Sequence, residues 1–462
     1  MQRFLDPEQL EQLRNGLTLS ADIDVVTVSQ FLYTAQGEGI LEWLGGLIQT
    51  AGRQNGALAI RGAVIQAAAD REGGLTLLNF LKHFPTNGVR VDLQALVGIT
   101  RVAIAEINQT NQITAQLFEQ AAKAIDETPR DFTLAEAGTD RWEIRPFEQT
   151  TLPADLYLPE VENAPLVVLS HGLGGNRETL AYLAEHLASH GFAAAVVEHP
   201  GSSDAQLEAL LSGKASEAVE PEEMIRRPTD IQAFLDELAA TAQTDPTLRN
   251  QINFDRVGVL GQSMGAYTTL ALAGATVDLE TLDKSCPPEV AQLNLSLLLQ
   301  CLVPSLPQPL PTLQDSRVKV AIALNPLDSA VFGPTGMANI QIPTLIVSGS
   351  ADTVTPALAE QIRPFTWMTS PNRYLLLMEG GTHFSAIHDP QAAEASMTLP
   401  ERIIGPDPEL AQRYIKAISL AFLKTHLTED VTYRQYLDPS YTAALNQPEI
   451  PITLLRELTL EE

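Results

Sequence analysis

Through the first quarter of the chain, apolar residues recur three and four positions apart. GILEWLGGLIQTAG and ALAIRGAVIQAAADREG both carry this spacing, which predicts amphipathic helices. GLTLLNFLKHFP continues the pattern and stops at Pro85. LQALVGITRVAIAEINQTNQITAQLFEQAAKAI predicts one long amphipathic helix. From Asp131 the period changes. DRWEIRPFE and ADLYLPE read as short strands. Continuous apolar runs then alternate with helical patterns. PLVVLSHG, FAAAVVEHPG, DRVGVLG, RVKVAIALNP, PTLIVSGSAD and NRYLLLMEG read as buried strands, and NRETLAYLAEHLASHG and PTDIQAFLDELAAT as helices. Such runs are apolar on both faces, so they predict a mostly parallel, doubly wound α/β sheet covered by helices. Ligands in these sheets bind at the carboxyl ends of the strands.

Residues 277–316 interrupt the alternation. They are rich in Leu and Pro and read as an inserted cap, helical at EVAQLNLSLLLQCL. The organisation expected is an all-helical domain over 1–130, an α/β domain with this insertion over 131–430, and a C-terminal extension over 431–462. The 462 residues are enough for two domains, one of them with an enzyme-sized core.

Composition narrows the function. Hydrophobic residues make up 45% and charged residues 19%, the balance of a globular protein. With 29 basic against 57 acidic residues the net charge is −28, which argues against nucleic acid and against anionic lipid surfaces as partners. No apolar run reaches the ~18 residues of a membrane span. The opening MQRFLDPEQLEQLRNG is charged and amphipathic, unlike a secretion signal. The only cysteines, Cys286 and Cys301, are too few for a zinc site. They are either one short-loop disulfide, which implies an oxidising compartment, or two buried thiols. The chain therefore reads as cytoplasmic as it stands, or as the mature form of an exported protein if the two are bonded.

The candidate chemistry centres on VGVLGQSMGA. Here Gly261-Gln262-Ser263-Met264-Gly265 ends a buried strand and opens the helix AYTTLALAGA. That is the strand–turn–helix context of a nucleophile elbow, in which a strained backbone lifts the serine hydroxyl above the sheet edge. Side chains at Gly261 or Gly265 are expected to collide with the neighbouring strand or helix. A serine hydroxyl needs a base, and in this arrangement the acid follows the serine and the histidine comes last. His383, in MEGGTHFS, and Asp352, in VSGSADTVTP, each follow a buried strand and fill those roles. Asp328, in ALNPLDSA, is the rival acid, and His388 the rival base. The developing oxyanion needs two donors. These are the N–H of Met264 and, in SHGLGGNRE, the N–H of Leu173, where Gly174 and Gly175 permit close backbone approach. His171 reads as a structural hydrogen-bonder and His83 as a helix-end residue. No cofactor or metal is expected; the ligand spacing of HFSAIHD does not suit a metal.

Taken in order, LSHGLGGNRET, DRVGVLGQSMGAYTT, GSADTVTP and GGTHFS make residues 130 to 425 resemble the α/β-hydrolase superfamily. Within it they look most like the platelet-activating-factor acetylhydrolase and dienelactone-hydrolase-like branch. The acetylhydrolases resemble this chain in placing the second oxyanion donor at the residue corresponding to Leu173. A true dienelactone hydrolase carries a cysteine nucleophile, so Ser263 argues for ester hydrolysis. Polyester- and cutin-cleaving hydrolases share the layout but lack a large helical domain in front. That front region is similar to the helical segment that precedes such hydrolases in cyanobacteria.

The function expected is a serine esterase with a Ser-His-Asp triad, acting on acyl or lipid-like esters beneath an apolar insert. The alternatives are a serine peptidase or amidase on the same fold, and a binding or docking protein whose helical domain is the main functional part. Oligomeric state is not legible.

Overall fold

The computed structural model describes residues 24–70, 73–123, 133–148, 150–286, 294–387, 404–458 and 460. The chain divides into two compact units. One holds the described residues up to Ala105 together with Ala205–Glu220, and the other holds Glu106–Asp204 and most of the chain from Pro221 onward.

In the first unit, helices α1 (Val25–Leu32), α2 (Ala35–Leu47), α3 (Ala57–Ala69) and α4 (Leu77–His83) bury one apolar face each, around Leu32, Leu41, Ile60, Ala63 and Phe80. The starts of α1, α2 and α4 are fixed by side-chain caps from Asp24, Thr34 and Thr76. His83 ends α4 with its ring 3.5 Å from the Asp70 carboxylate. One departure from the all-helical expectation is a two-stranded antiparallel pair, β1 (Ile48–Thr50) with β2 (Val89–Val91). Val89-Arg90-Val91 is β-branched at alternate positions and bounded by Gly88 and Asp92, so it suits a short strand better than a helix. The long helix expected next is α5 (Leu93–Ala122), 30 residues without a break, of which only those up to Ala105 belong to this unit.

The second unit is built on a nine-stranded sheet in the order β11-β10-β9-β8-β7-β5-β6-β4-β3. Its strands are β3 (Trp142–Phe147), β4 (Ala154–Pro159), β5 (Ala164–Ser170), β6 (Ala193–Val197), β7 (Ile252–Gln262), β8 (Val318–Leu324), β9 (Thr344–Gly349), β10 (Arg373–Met378) and β11 (Ile452–Leu455). The strands from β5 to β10 pair in parallel. β3, β4 and β11 are antiparallel to their neighbours, so the C-terminal extension completes one edge of the sheet. Every residue of β6 and β9 is buried, which is why these runs carry no alternation. Helices α6 (Ala181–Ala188), α7 (Glu223–Thr244), α8 (Met264–Leu272) and α9 (Pro408–His426) flank it. Chain order reverses at β5, which lies between β6 and β7; this is where a site is expected in an open α/β sheet.

Two local differences from expectation matter. The helix read as starting at Pro228 begins at Glu223. Pro228 has no N–H for the Met224 carbonyl, and the Tyr267 hydroxyl donates to that carbonyl instead, at 2.6 Å, so the proline is tolerated inside the helix. The insert is also less helical than expected. Leu279–Ser285 is a helix, but of the described part of EVAQLNLSLLLQCL only Leu297–Gln300 is helical. The Asn294 carboxamide accepts from the Ser296 N–H and hydroxyl, a turn that competes with an earlier helix start. Cys286 and Cys301 form a disulfide. No helix among the described residues is long and apolar enough to cross a membrane.

Candidate active site

Ser263 stands between the end of β7 and the start of α8 with φ 56° and ψ −118°. A left-handed serine is costly, of the order of 1–3 kcal/mol, and persists only where the surroundings impose it. They do so here from several sides. The Ser263 N–H donates to the Leu324 carbonyl at the end of β8 (2.9 Å), and its carbonyl accepts from Ala266 and Tyr267 in the first turn of α8. A Cβ on Gly265 would lie 2.0 Å from the Ser170 carbonyl oxygen of β5, and one on Gly261 would lie 2.1 Å from the Gly265 carbonyl. The strand-to-helix bend therefore closes only with hydrogen at both positions. Serine is a favoured N-cap residue, yet the Ser263 side chain makes no capping bond, so its hydroxyl is not committed to the helix.

Asp352 and His383 follow β9 and β10. The His383 Nδ1–H donates to Asp352 Oδ2 at 2.8 Å, and both side chains are buried. The carboxylate is held on all sides. Its Oδ1 accepts from the Val354 and Thr355 N–H groups, each at 2.8 Å. Its Oδ2 also accepts from the Thr355 hydroxyl and from Asn325 Nδ2, each at 2.8 Å. Ser263 and His383 come from strands separated by two others, and Gln262 links them, its Nε2 donating to the His383 carbonyl at 3.2 Å. No hydrogen bond joins the Ser263 hydroxyl to the imidazole among the described residues, a looseness common in unliganded hydrolytic sites.

The rivals separate. Asp328 is fully buried, touches neither His383 nor any other hydrogen-bond donor through its carboxyl oxygens among the described residues, and sits beside Glu360. Burial first, and then the Glu360 charge, pushes its carboxyl well above the usual range, which disfavours the ionised form that would stabilise an imidazolium. His388 lies outside the described residues.

The loop after β5 packs against the elbow. A Cβ on Gly172 would lie 2.5 Å from Gln262 Oε1 and 3.2 Å from the Ser263 Cβ, so the glycine lets this loop reach the serine. Gly174, at φ 73°, turns the loop, its N–H donating to the Ser202 carbonyl. Among the described residues neither the Leu173 nor the Met264 N–H has a protein acceptor, so both remain available as donors. His171 is structural. Its Nδ1–H donates to the Gly172 carbonyl at 2.7 Å, and its Nε2 accepts from the His199 N–H at 3.0 Å. Burial, with help from the Arg227 charge, lowers its pKa to about 3, so it is neutral at ordinary pH.

Residues 1–92 match a family model described as alpha/beta hydrolase of unknown function. Residues 151–237, which include the loop after β5, match the model for platelet-activating factor acetylhydrolase, isoform II. The chain belongs to the α/β-hydrolase superfamily. It lies on the acetylhydrolase-like side of that superfamily. Among curated relatives, Cutinase 2 of Thermobifida cellulosilytica is 25% identical over 287 residues, 62% of this chain and 77% of its own length. Cutinase cut1 of Thermobifida fusca is 25% identical over the same share of this chain, which spans 63% of that relative. Cutinase est1 of Thermobifida alba is 24% identical, with 68% of its length covered.

Four side chains in this α/β-hydrolase site escaped sequence reading. Asn325 and Thr355 hold the Asp352 carboxylate, Gln262 ties the elbow to His383, and Arg227 binds the loop after β5. Gln262 was visible as the second residue of the motif. Arg227 was hidden by placing the helix start at Pro228.

Proposed function

We propose that this chain is a serine hydrolase that cleaves carboxylic esters through an acyl-enzyme. The acetylhydrolase and cutinase likenesses point to the broad class, a carboxylic ester hydrolase. What carries the finer reading is the conjunction of an uncapped, left-handed Ser263 with a buried imidazole oriented by a fully hydrogen-bonded carboxylate.

In this mechanism the Ser263 hydroxyl attacks the ester carbonyl carbon while His383 Nε2 takes its proton. The Asp352 bond to Nδ1 fixes the tautomer that leaves Nε2 basic and stabilises the imidazolium once it forms. The carbonyl oxygen becomes an alkoxide held by the Leu173 and Met264 N–H groups, at the positive end of α8. Collapse breaks the carbon–oxygen bond to the alcohol, which leaves with the proton from His383. Water then repeats the sequence on the acyl-serine: His383 takes its proton, the acid is released, and Ser263 regains its hydrogen. An acyl or lipid-like substrate is supported by the apolar insert, which is tied to the acid loop by the Ser296 N–H donating to the Val354 carbonyl at 3.1 Å.

The test is turnover of 4-nitrophenyl esters graded from acetyl to palmitoyl, with fluorophosphonate labelling of the intact protein. Ester turnover, a label on Ser263 and loss of both in Ser263→Ala are expected. A folded Ser263→Ala protein with undiminished turnover refutes the reading.

A further inference from the structure

The oxyanion loop rests on a buried ion pair to which the mechanism above assigns no part. Arg227 is fully buried on the first turns of α7, one turn after Glu223, which is almost as buried. Its Nη1 donates to the His171 carbonyl at 2.6 Å and its Nη2 to the Gly172 carbonyl at 3.3 Å. Its Nε donates to the Ser202 hydroxyl at 2.8 Å, and that hydroxyl donates to Glu223 Oε2 at 2.6 Å. The Ser202 carbonyl accepts from the Gly174 N–H on the same loop at 2.8 Å. One guanidinium thus binds two consecutive carbonyls of the loop directly, and through Ser202 reaches its other limb.

The Gly172 carbonyl and the Leu173 N–H belong to one peptide unit. A trans peptide is planar, so its carbonyl and N–H point in opposite directions. Holding the Gly172 oxygen on Arg227 therefore aims the Leu173 N–H away from Arg227. Next to a glycine this peptide can rotate at little steric cost where its hydrogen bonds are weakened, which would bring a carbonyl oxygen, and repulsion, to where an alkoxide forms. The Gly172 carbonyl is shared, for it also accepts from the His171 Nδ1–H at 2.7 Å. The Gly175 N–H donates to the Gly172 carbonyl at 3.2 Å, and the Gly175 carbonyl accepts from the Asp204 N–H at 3.0 Å.

We infer that Arg227, seated on Glu223 and Ser202 and acting beside the His171 ring, is a positioning residue that helps set the Leu173 N–H for transition-state binding. It touches neither the reacting groups nor Ser263. This rests on the ester-hydrolase reading above, and the experiment keeps the two apart. The full-length protein is assayed with 4-nitrophenyl butyrate, and its inhibition by phenylboronic acid, whose tetrahedral adduct on serine presents an oxygen to the same donors, is measured alongside. A wild-type protein inert to all esters sinks the reading of the reaction before any variant is made. Given an active wild type, Arg227→Met is expected to lower kcat by about 10²-fold, the scale of losing one oxyanion donor. KM should stay within a few-fold, and phenylboronic acid should weaken in step with kcat. Arg227→Lys keeps the charge without the fork and should recover only part of the loss. Millimolar guanidinium should partly restore Arg227→Ala. General structural damage would instead raise KM or unfold the protein, with no rescue by guanidinium. Should no Arg227 variant fold, Ser202→Ala is the milder change, expected to lower kcat about tenfold at unchanged KM, on the scale of a weakened rather than a lost donor. Wild-type kcat in a folded Arg227 variant, or in Ser202→Ala if none folds, overturns the inference.

Discussion

Asp328→Asn separates the two candidate acids and tests the electrostatics beneath the site. Asp328 is buried next to Glu360, whose carboxylate accepts from the Asp328 and Ser329 N–H groups, the Ser329 hydroxyl, Gln300 and Asn294. Glu360 is thus well satisfied as an anion, and a second charge on Asp328 would face it with no hydrogen-bond donor of its own among the described residues. The folded-state pKa is raised, with burial the main cause and the Glu360 charge the second. A raised carboxyl pKa means that the folded protein holds a proton the unfolded chain releases. Its contribution to stability is thus fully present below the unfolded-state pKa and is lost as pH rises towards the folded-state value. Each pH unit in that window costs about 1.4 kcal/mol. Asparagine has nearly the same shape and does not titrate. At pH 4 the variant should be less stable by about 1–3 kcal/mol, the cost of burying an amide N–H without an acceptor. The difference should then climb in the variant's favour by about 1.4 kcal/mol per pH unit above pH 4 until the wild-type carboxyl ionises. Urea denaturation of both proteins at half-unit steps from pH 4 to 8.5 measures this directly. A difference that is flat with pH, or that turns against the variant as pH rises, means that Asp328 is an ionised, compensated group. Ester turnover by Asp328→Asn should stay within a few-fold of wild type; a collapse of kcat would instead make Asp328 the acid of the triad.

Asp352→Asn should lower kcat by about 10⁴-fold with little change in KM, because the amide favours the wrong imidazole tautomer; steady-state kinetics at pH 8 decide it. Gly265→Ala puts a methyl 2.0 Å from the Ser170 carbonyl oxygen, so an unstable or insoluble protein is expected, and a normal melting temperature would contradict the elbow geometry. Opening the Cys286–Cys301 loop, a sequence separation of 15, should cost about 3 kcal/mol, read as the shift in urea midpoint between oxidised and reduced protein. Acid should destabilise the fold below pH 6.5. Burial lowers His171 and His186 to about 3 and His426 to about 4, so the unfolded chain takes up protons first and the stability these neutral rings provide is lost as pH falls towards those values. Stability unchanged between pH 7 and 4.5 would show that these rings are not buried as neutral groups.

The parts of this molecule legible in its sequence are those governed by local chemistry. The parallel strands announce themselves because burial on both faces removes polar residues from them, as in Ala193–Val197 and Thr344–Gly349. The elbow is legible because a left-handed serine between close-packed backbones leaves only glycine at 261 and 265. Asp352 and His383 could be placed because each comes directly after such a strand. The features that stayed hidden depend on partners far away along the chain. The β11 strand gains its meaning only by pairing with β10, more than seventy residues earlier. Pro228 looked like a helix start because its missing N–H suits the first turn. The tertiary bond from Tyr267 overrides that preference, extends α7 by a turn, and brings Glu223 and Arg227 within reach of the loop after β5. The disulfide was one of two open readings because pairing depends on three-dimensional approach, which spacing alone does not fix.

The distribution of buried polar groups explains why this fold tolerates a strained Ser263. The candidate groups sit on four loops, after β5, β7, β9 and β10, and a loop is the least constrained part of a sheet protein. Each is held by a bond from another element. Arg227 on α7 grips the loop after β5, and the carbonyl at the end of β8 takes the Ser263 N–H. Asn325, just past β8, reaches the acid on the loop after β9, and Gln262 at the end of β7 reaches the loop after β10. The central strands β7 and β8 thus act as a common frame from which both flanking loops are set. Because these cross-braces are buried, removing one partner leaves a donor or acceptor without water to replace it, and the cost exceeds that of an ordinary surface bond. Substitutions at the braces should therefore lower kcat by displacing donors a fraction of an ångström while leaving KM nearly untouched, whereas substitutions in the apolar insert should move KM and acyl-length preference first.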